Sequence, residues 1–267
     1  MAMTTPDPTT ASSVPKGHLH PITQTVREIY SVFAELGFEV ATGPELEYEF
    51  YNFDALNIPK DHPSRDMQDT FWIKENKENK NTLPDERLGR RLLTTQTSAV
   101  QIRYMEKHKP PFRVIVPGKV FRNEATDATH EAQFFQLEGL LIDKKVSLAD
   151  LKGTLEHVFK KLFGEASEIR FRPSYFPFVE PGVEVDVKWI KPGVKSDGSG
   201  AANEATWLEV LGAGLVHPNV LRAGGLDPAE WQGFAFAFGL DRIVMLKYGI
   251  DDIRQLYSGD LRFVNQF

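Results

Sequence analysis

The sequence contains no cysteine and no apolar run long enough to cross a bilayer as a helix. The absence of cysteine excludes disulfides, thiolate zinc ligands and cysteine nucleophiles. A membrane-spanning helix needs about 20 mostly apolar residues, and the polar N-terminal segment also lacks the apolar centre of a signal peptide. These absences predict an intracellular, cytoplasmic protein without a membrane segment.

Two common nucleotide-binding signatures are also missing, because the chain has neither GxGxxG nor GxxxxGK[ST]. If the protein binds ATP, it therefore uses another device. The formal net charge is −6, which argues against strong, sequence-independent binding to nucleic acid. Any RNA partner is expected to contact local basic patches or another chain.

The overall composition is that of a folded protein with one main domain: 41% of the 267 residues are hydrophobic and 25% are charged. Residues 1–17 are rich in Thr, Pro and Ser and predict a disordered tail, whereas residues 18–267 predict one domain. Apolar spacing predicts helices over residues 21–36, 97–108, 147–163 and 240–248.

Most of the remaining segments have the character of strands. Strands follow one another without regularly alternating helices, which predicts an α+β fold with a mostly antiparallel sheet flanked by helices. Pro117-Gly118 predicts a tight turn between two strands, and the run at 191–200 predicts a flexible loop. The predicted strands are residues 38–41, 70–73, 91–94, 112–116, 119–124, 133–142, 169–172, 183–190, 206–211 and 233–239.

Four polar side chains lie on the two strands predicted around residues 119–142. Alternate residues of a strand share a face, so Arg122 and Glu124 project together, as do Gln136 and Glu138. This pattern alone is most typical of the solvent-facing side of an antiparallel sheet. Three further features favour a functional surface.

The first feature is Arg242, at the start of the helix that follows GFAFAFG, where its guanidinium could bind a phosphate. The second is the pair Phe176 and Phe178, on one side of a rigid extended segment, which could clamp a planar ring. The third is Glu209, on a strand that leads into a glycine-rich turn. A surface salt bridge and core packing are the commoner explanations of the first two.

Taken in order, these segments resemble the three motifs of class II aminoacyl-tRNA synthetases. The match is most specific to the catalytic portion of bacterial phenylalanyl-tRNA synthetase α subunits, and it runs from about His20 to Phe267. GFEVATGPELE, with Pro44, resembles the first motif, FRNEATDATHEAQFFQLEGLLID the second and GFAFAFGLDR the third. DHPSRDMQDTFW, RFRPSYFPFVEP, WLEVLGAGLVHPNV and DLRFVNQF also resemble segments of this family.

The resemblance implies activation of an amino acid by ATP. Arg122 would contact the α-phosphate and the substrate carboxylate, Glu124 the adenine amino group, and His130 the outer phosphates together with Arg242. Phe134 or Phe121 would stack on adenine, and the residues alone do not decide between them. The implied ATP-binding residues are Arg122, Glu124, His130, Phe134, Glu209 and Arg242.

The resemblance also implies a pocket for L-phenylalanine. Gln136 and Glu138 would receive the α-ammonium group, Phe176 and Phe178 would hold the ring edge to face, and Ala235 would limit substitution at its far end. Gln96 stands where many relatives carry histidine. The implied amino-acid-binding residues are Gln96, Ser98, Gln136, Glu138, Phe176, Phe178 and Ala235.

Magnesium is the implied metal. Glu209 would hold Mg²⁺ that bridges the ATP phosphates, because this ion prefers carboxylate oxygens. Glu180 would hold an ion shared with a partner subunit. In the third motif Ala237 replaces the usual first glycine and adds a methyl group close to the ATP site.

The implied partners are tRNA(Phe) and a β-type subunit, in a hetero-oligomer of two α and two β chains. The family's N-terminal helical hairpin, which reaches the tRNA, is not recognisable before the catalytic part, so charging of tRNA is expected to need the partner. The apolar stripe Ile22, Val26, Ile29 and Phe33 is expected at a subunit interface, or else packed on its own sheet.

Two alternatives stay open on the sequence alone. One is a non-catalytic paralogue that senses amino acids or binds a partner, which would not need the full set of ATP-binding residues. The other is a related enzyme that adenylates a different carboxylate without tRNA. The paired phenylalanines and Ala235 favour phenylalanine over that second alternative.

Overall fold

The computed structural model describes residues 17–65, 70–74, 85–165, 167–189 and 206–267. The predicted tail lies outside these residues except for Gly17, and so does the loop predicted at 191–200. The α-helices are α1 Pro21–Glu35, α2 Glu49–Asn52, α3 Ala99–Met105, α4 Leu148–Phe163, α5 Pro218–Ala223, α6 Leu240–Tyr248 and α7 Leu261–Val264. None of the helices in the described ranges has the length and apolar character needed to cross a membrane.

A sheet of seven strands in the order β1-β4-β5-β9-β8-β7-β6 forms the centre of the molecule, and β2 pairs with β3 in a separate ribbon. Every pairing in the large sheet is antiparallel except that of β1 with β4. The predicted α+β fold is therefore confirmed. The strands are β1 Glu39–Val40, β2 Leu46–Tyr48, β3 Arg91–Leu93, β4 Phe112–Phe121, β5 Gln133–Asp143, β6 Ile169–Phe176, β7 Val179–Trp189, β8 Thr206–Val216 and β9 Gln232–Gly239.

The turn predicted at Pro117-Gly118 is wrong, because β4 continues through both residues and pairs with β5 along its whole length. The neighbouring strand β1 pairs only with Val114 and Ile115. Pro117 lies beyond the end of β1, where β4 has no neighbouring strand on that side among the described residues. The missing N–H group of proline therefore costs no hydrogen bond of the sheet. Residues 70–73 also differ from prediction, since they form only an isolated bridge between Trp72 and Leu92.

One face of the large sheet packs on helices α1, α4 and α6. Phe33 of α1 is fully buried and stacks on Phe236 of β9 with ring centroids 5.6 Å apart. Ile29 is also fully buried in this core, and Ile22 packs against Val244 of α6. The apolar stripe of α1 therefore packs within its own chain, which corrects the expectation of a subunit interface.

On the other face of the sheet, β9 presents only small residues, because phenylalanine alternates with glycine or alanine along this strand. Its phenylalanines Phe234, Phe236 and Phe238 project into the helical core, where all three are buried. The residues between them are glycine or alanine and project to the opposite face. Gly139 of β5 allows the Phe236 ring to lie against the β5 backbone, since a Cβ at position 139 would lie 2.0 Å from the Cζ of Phe236. The strand therefore combines a tightly packed core face with an open trough.

Candidate active site

Two adjoining clefts lie on the open face of the sheet. The larger has a volume of about 370 Å³ and lies over β5, β9 and β8. The smaller, of about 170 Å³, lies between the loop that joins β4 to β5 and the start of α6. Arg122, Phe134 and Gly239 line both clefts. A ligand could therefore extend from one cleft into the other past the Arg122 guanidinium.

The floor of the larger cleft is set by the strand register. Glu138 of β5 pairs with Ala237 of β9, which in turn pairs with Gly212 of β8. In the next row, Ala235 lies between Leu140 and Gly214. Cross-strand neighbours on one face lie about 5 Å apart, so the small side chains make a trough beside Glu138. Ala237 lines this larger cleft and not the smaller one.

Glu138 is the most buried carboxyl group in the larger cleft, with 1% of the residue exposed. The Ser98 hydroxyl donates to its Oε2 at 2.7 Å, and the Gln101 amide donates to its Oε1. Burial raises the pKa of Glu138 to about 8, and these two hydrogen bonds oppose the shift. A cationic group bound here would favour the ionised carboxylate, because an opposite charge replaces the lost hydration.

Gln136 lies two residues before Glu138 on the same face of β5 and is 8% exposed. Its Oε1 is buried without a hydrogen-bond partner among the described residues. A buried acceptor left unpaired costs roughly 1–3 kcal/mol. Gln136 and Glu138 therefore present adjacent acceptors that suit an ammonium group.

Phe176 and Phe178 form the aromatic wall of the larger cleft, but the extended segment predicted for them is wrong. Phe176 ends β6, and Phe178 lies in the tight turn before β7. Their rings stack with centroids 5.9 Å apart. Gly212 makes room for this wall, since a Cβ there would lie 2.8 Å from the Cζ of Phe176.

The cleft lining is apolar near this wall. Phe176, Phe178, Val179 and Ala235 supply the side chains there, and Ala235 is 2% exposed. A hydroxyl group on a bound ring would enter a lining without polar side chains at this end, which is unfavourable for a buried polar atom. The lining therefore suits an unsubstituted aromatic side chain.

In the smaller cleft, Arg122 and Glu124 follow the end of β4 at Phe121 instead of lying on the strand as predicted. The Arg122 guanidinium lies over the Phe134 ring, 5.2 Å from its centroid, and its Nε donates to the Thr95 carbonyl at 3.4 Å. A cation–π contact of this kind restricts the orientation of a guanidinium group. Arg122 is thus held at the junction of the two clefts.

Asp127 organises the loop that carries His130. Its Oδ1 accepts hydrogen bonds from the backbone N–H groups of Thr129 at 2.6 Å and His130 at 2.8 Å, and it lies 3.1 Å from His130 Nδ1. These bonds hold the pKa of Asp127 well below its usual range, with the bond from the Thr129 backbone contributing most. His130 is thereby oriented with its ring at the smaller cleft.

Arg242 lines the smaller cleft from the first turn of α6, as predicted. Within the described part of the chain, no carboxylate lies close enough to form a salt bridge with it. Asp241, beside it, is 2% exposed and accepts hydrogen bonds from Phe135 N–H and the Tyr257 hydroxyl. The smaller cleft therefore gathers two guanidinium groups and an imidazole, which suits a polyphosphate.

The two predicted magnesium ligands lie in different places. Glu209 lines the larger cleft with its side chain 58% exposed, and its Oε2 lies 3.2 Å from Arg172 Nη2. Glu180 lines neither cleft, is 74% exposed, and lies 3.4 Å from His217 Nε2. Among the described residues, no group of three or more acidic, histidine or cysteine side chains could hold a metal alone. A single exposed carboxylate fits an ion whose other ligands are phosphates and water.

Nearly all the predicted site residues thus come together. Every predicted ATP-binding or amino-acid-binding residue lines one of the two clefts, while Glu180 and Phe121 do not. Two contributing residues were missed. Gln101 lies three positions after Ser98 on the same helical face, a spacing that could have identified it. Asp241 acts through Phe135, 106 positions away in sequence, and no local pattern signals that contact.

Comparison with known proteins agrees with this geometry. The family model described as tRNA synthetases class II core domain (F) matches residues 6–267. The phenylalanine–tRNA ligase alpha subunit of Bacillus subtilis is 53% identical over 253 residues, which cover 94% of this chain and 69% of that protein. The alpha subunit of the same name from Staphylococcus carnosus is 52% identical over 257 residues, covering 96% and 68%.

Among solved structures, pyrrolysyl-tRNA synthetase from Desulfitobacterium hafniense is similar, with a TM-score of 0.63. The match covers 91% of this chain and 75% of that chain at 17% identity, so it concerns the fold alone. The fold is thus that of a class II tRNA synthetase core. The chain belongs to this family and, within it, to the phenylalanine–tRNA ligase alpha subunits.

Proposed function

We propose that the protein activates L-phenylalanine with ATP to form phenylalanyl-adenylate and transfers the amino acid to tRNA(Phe). The observation that carries the proposal is the position of Arg122 at the junction of the two clefts. An amino acid with its ammonium group at Glu138 would direct its carboxylate toward that junction. ATP in the smaller cleft would bring its α-phosphate to the same guanidinium.

The amino acid would be selected at both ends of the larger cleft. Gln136 and Glu138 accept hydrogen bonds from the ammonium group, Ser98 holds the Glu138 carboxylate, and Gln96 lines the same cleft. Phe176 and Phe178 would pack on the phenyl ring, with Ala235 at its far end. Tyrosine would bury its hydroxyl group without a partner at this end and would bind less well.

The nucleotide would be bound by the residues of the smaller cleft. Glu124 would accept a hydrogen bond from the adenine amino group, and Phe134 would stack on the base. His130 and Arg242 would bind the outer phosphates. The carboxylate of phenylalanine would attack the α-phosphorus, and pyrophosphate would leave toward His130 and Arg242. Arg122 would stabilise the charge that develops on the phosphorus oxygens, so the reaction needs positioning and electrostatics and no protein nucleophile.

Magnesium would reduce the repulsion between the phosphates and the incoming carboxylate. Glu209 is the better of the two predicted ligands, because its exposed carboxylate lines the cleft and Mg²⁺ commonly binds one or two carboxylates together with phosphates and water. Glu180 would belong to a separate site shared with a partner chain, and its position outside both clefts is compatible with that role.

The partner of this chain would be a β-type subunit, in an assembly of two chains of each kind. The alpha-subunit names of its relatives support a β partner, and a charge of −6 supports the view that tRNA(Phe) is held largely outside this domain. Residues 18–267 would be the catalytic domain. A cytoplasmic location would follow from a role in protein synthesis.

Exchange of labelled pyrophosphate into ATP, measured with each of the twenty amino acids, tests the proposal. We expect exchange that depends on phenylalanine and on Mg²⁺, with tyrosine far less effective. Charging of tRNA(Phe) should then require addition of the β-type subunit. Exchange with another amino acid at a higher kcat/KM, or none with any amino acid in the assembled protein, would contradict the proposal.

A further inference from the structure

A short segment near the C-terminal end, Asp252–Tyr257, contacts both walls of the smaller cleft. Its Ile253 N–H donates to the Ala128 carbonyl, at a nitrogen–oxygen distance of 2.9 Å. Its Tyr257 hydroxyl donates to Asp241 Oδ1 at 2.5 Å. Ala128 lies in the loop of Asp127 and His130, and Asp241 lies in the first turn of the helix that carries Arg242. The segment thus joins the two elements that carry the cationic side chains of the cleft.

Asp241 extends this connection to a third element. Its other oxygen, Oδ2, accepts a hydrogen bond from the Phe135 backbone N–H at 2.6 Å. Phe135 directly follows Phe134, and Asp241 directly precedes Arg242. One buried carboxyl group therefore holds the backbone beside two residues of the smaller cleft.

The protonation states suit this arrangement. Burial raises the pKa of Tyr257, and the neighbouring Asp241 raises it further, so the phenol keeps its proton and remains a donor at neutral pH. Burial also raises the pKa of Asp241, although the bond from Tyr257 opposes the shift. The Tyr257 hydroxyl thus offsets part of the cost of burying the Asp241 carboxyl group.

The segment itself is anchored on the helical side of the molecule. His20 Nε2, at the start of α1, lies 3.0 Å from the Leu256 carbonyl oxygen. Ile253 and Leu256 are about 5% and 4% exposed and pack in one cluster with Ile22 and Val244. Because this anchorage is independent of the β4–β5 loop, the segment can hold that loop in place.

We propose that Asp252–Tyr257 is a positioning element of the nucleotide site, which keeps the Ala128 loop and the start of α6 at the separation that ATP requires. Among the described residues, none of the hydrogen-bond partners of this segment lines the larger cleft. Loss of these bonds should therefore weaken ATP binding and leave phenylalanine binding unchanged. This inference rests on the proposed function for its kinetic readout, and direct nucleotide binding gives a second readout.

Tyr257→Phe tests the hydroxyl group alone. We expect the KM for ATP in pyrophosphate exchange to rise roughly 3- to 10-fold, the range for loss of one buried hydrogen bond, with the KM for phenylalanine within a factor of about 1.5 of the parent value. Tyr248→Phe is the matched control, because Tyr248 lies on α6 and packs on Phe267 in the same cluster. It should leave both KM values unchanged.

Ile253→Pro tests the second bond. Ile253 is the first residue of a 3₁₀ turn, where proline is tolerated, and the preceding Asp252 has φ −138° and ψ 115°, which suit a residue before proline. The substitution removes the N–H donor and replaces the Ile253 side chain, which lines the smaller cleft, by the proline ring. Ile253→Ala removes only the side chain, so the difference between the two variants reports the bond to Ala128. We expect Ile253→Pro to have at least a 3-fold higher KM for ATP than Ile253→Ala, since one hydrogen bond is lost.

Calorimetric titration of the purified full chain with a non-hydrolysable ATP analogue gives the independent measurement. The dissociation constants should follow the same order as the KM values for ATP. Equal effects of Tyr257→Phe and Tyr248→Phe would overturn the inference, as would a parallel rise of both KM values. If the parent protein binds the analogue but catalyses no exchange, the proposed function fails while the positioning role is still decided by these dissociation constants. If the parent does not bind the analogue, both fail.

Discussion

The two clefts bind their proposed ligands by different physical means. The larger cleft lies over β5, β9 and β8, and the two acceptors proposed for the ammonium group, Glu138 and Gln136, are 1% and 8% exposed. The smaller cleft uses a loop whose side chains Asp127 and His130 are 58% and 56% exposed. The first environment has a low effective dielectric, and the second is largely hydrated.

Because of this difference, we expect the larger cleft to select the amino acid and the smaller cleft to stabilise the reacting phosphate. In the larger cleft, a wrong amino acid would leave buried polar groups unpaired or meet a fixed apolar wall, and both costs are high. The smaller cleft gathers charges that suit any triphosphate, so it contributes less to discrimination and more to stabilising the reacting phosphate. Arg122 lines both clefts, so substitution of this residue affects both ligand sites at once.

The largest expected effect is therefore that of Arg122→Gln. The substitution keeps hydrogen-bonding capacity but removes the charge, and we expect kcat for pyrophosphate exchange to fall by roughly 10²- to 10³-fold. Arg87→Gln is the control, because Arg87 is 87% exposed and pairs, among the described residues, with nearby Asp85 alone. Saturating ATP and phenylalanine should not restore the rate. A variant that regains the parent rate at high substrate concentration would show that Arg122 acts in binding alone.

Glu138→Ala, combined with Gln136→Ala, tests the ammonium site of the larger cleft. Each loss removes an acceptor for a charged group, worth roughly 1.5–3 kcal/mol, so kcat/KM for phenylalanine should fall by about 10- to 100-fold or more for each. Binding of the non-hydrolysable ATP analogue should stay within a factor of about 2, since the smaller cleft is untouched. If the double variant activates phenylalanine at the parent rate, the assignment of the ammonium site is wrong.

Ala235→Gly changes only the volume of the larger cleft. Removal of one methyl group beside Phe176 and Phe178 should admit para-substituted rings, with a change in preference of roughly 1–3 kcal/mol for a group of methylene size. The measurement is the ratio of kcat/KM values for phenylalanine and para-chlorophenylalanine. Ala55→Gly is the matched control, because Ala55 is equally buried but lines neither cleft. An unchanged ratio in Ala235→Gly would remove Ala235 from the pocket.

Much of the fold could be predicted from local patterns, since α1, α4 and α6 have clear apolar spacing and the strand predicted at residues 133–142 matches β5. The error at Pro117 arose because proline is usually a reliable turn signal. Its tolerance within β4 depends on how far β1 extends, which is a property of the tertiary structure. The extended segment predicted at Phe176 failed for the opposite reason, since a turn is present there but the β6–β7 hairpin has no glycine or asparagine to signal it.

The residues that line the clefts could be predicted better than the hydrogen bonds that hold those residues in place. Resemblance to a family identified the residues of both clefts, and their roles stay predictions until the substitutions are made. Gln101 was missed although its spacing from Ser98 could have identified it. Asp241 and Tyr257 were absent from that set because each forms a hydrogen bond with a residue of another element. Such contacts follow from packing of whole elements, which the local pattern of residues does not encode.

The smallest expected effect concerns the protonation of Glu138 in the larger cleft. The pKa of Glu138 is raised from 4.5 to about 8, so the folded chain binds this proton more tightly than the unfolded chain. The stabilisation from this group is complete below pH 4.5 and is lost as the pH rises through about 8. Over that interval the free energy of unfolding should fall with a slope of at most about 1.4 kcal/mol per pH unit from this group.

Glu138→Gln lacks the titrating group and keeps an amide that can bond to Ser98 and Gln101. Urea unfolding of both proteins at pH 6, 7 and 8 isolates the effect, because every other titrating group is shared. We expect the stability of Glu138→Gln relative to the parent to increase across this range. Saturating phenylalanine should reduce the dependence in the parent, since its ammonium group favours the ionised carboxylate. A difference that stays constant from pH 6 to 8 would mean that the empty cleft already hydrates Glu138, and the larger cleft would then resemble the smaller one.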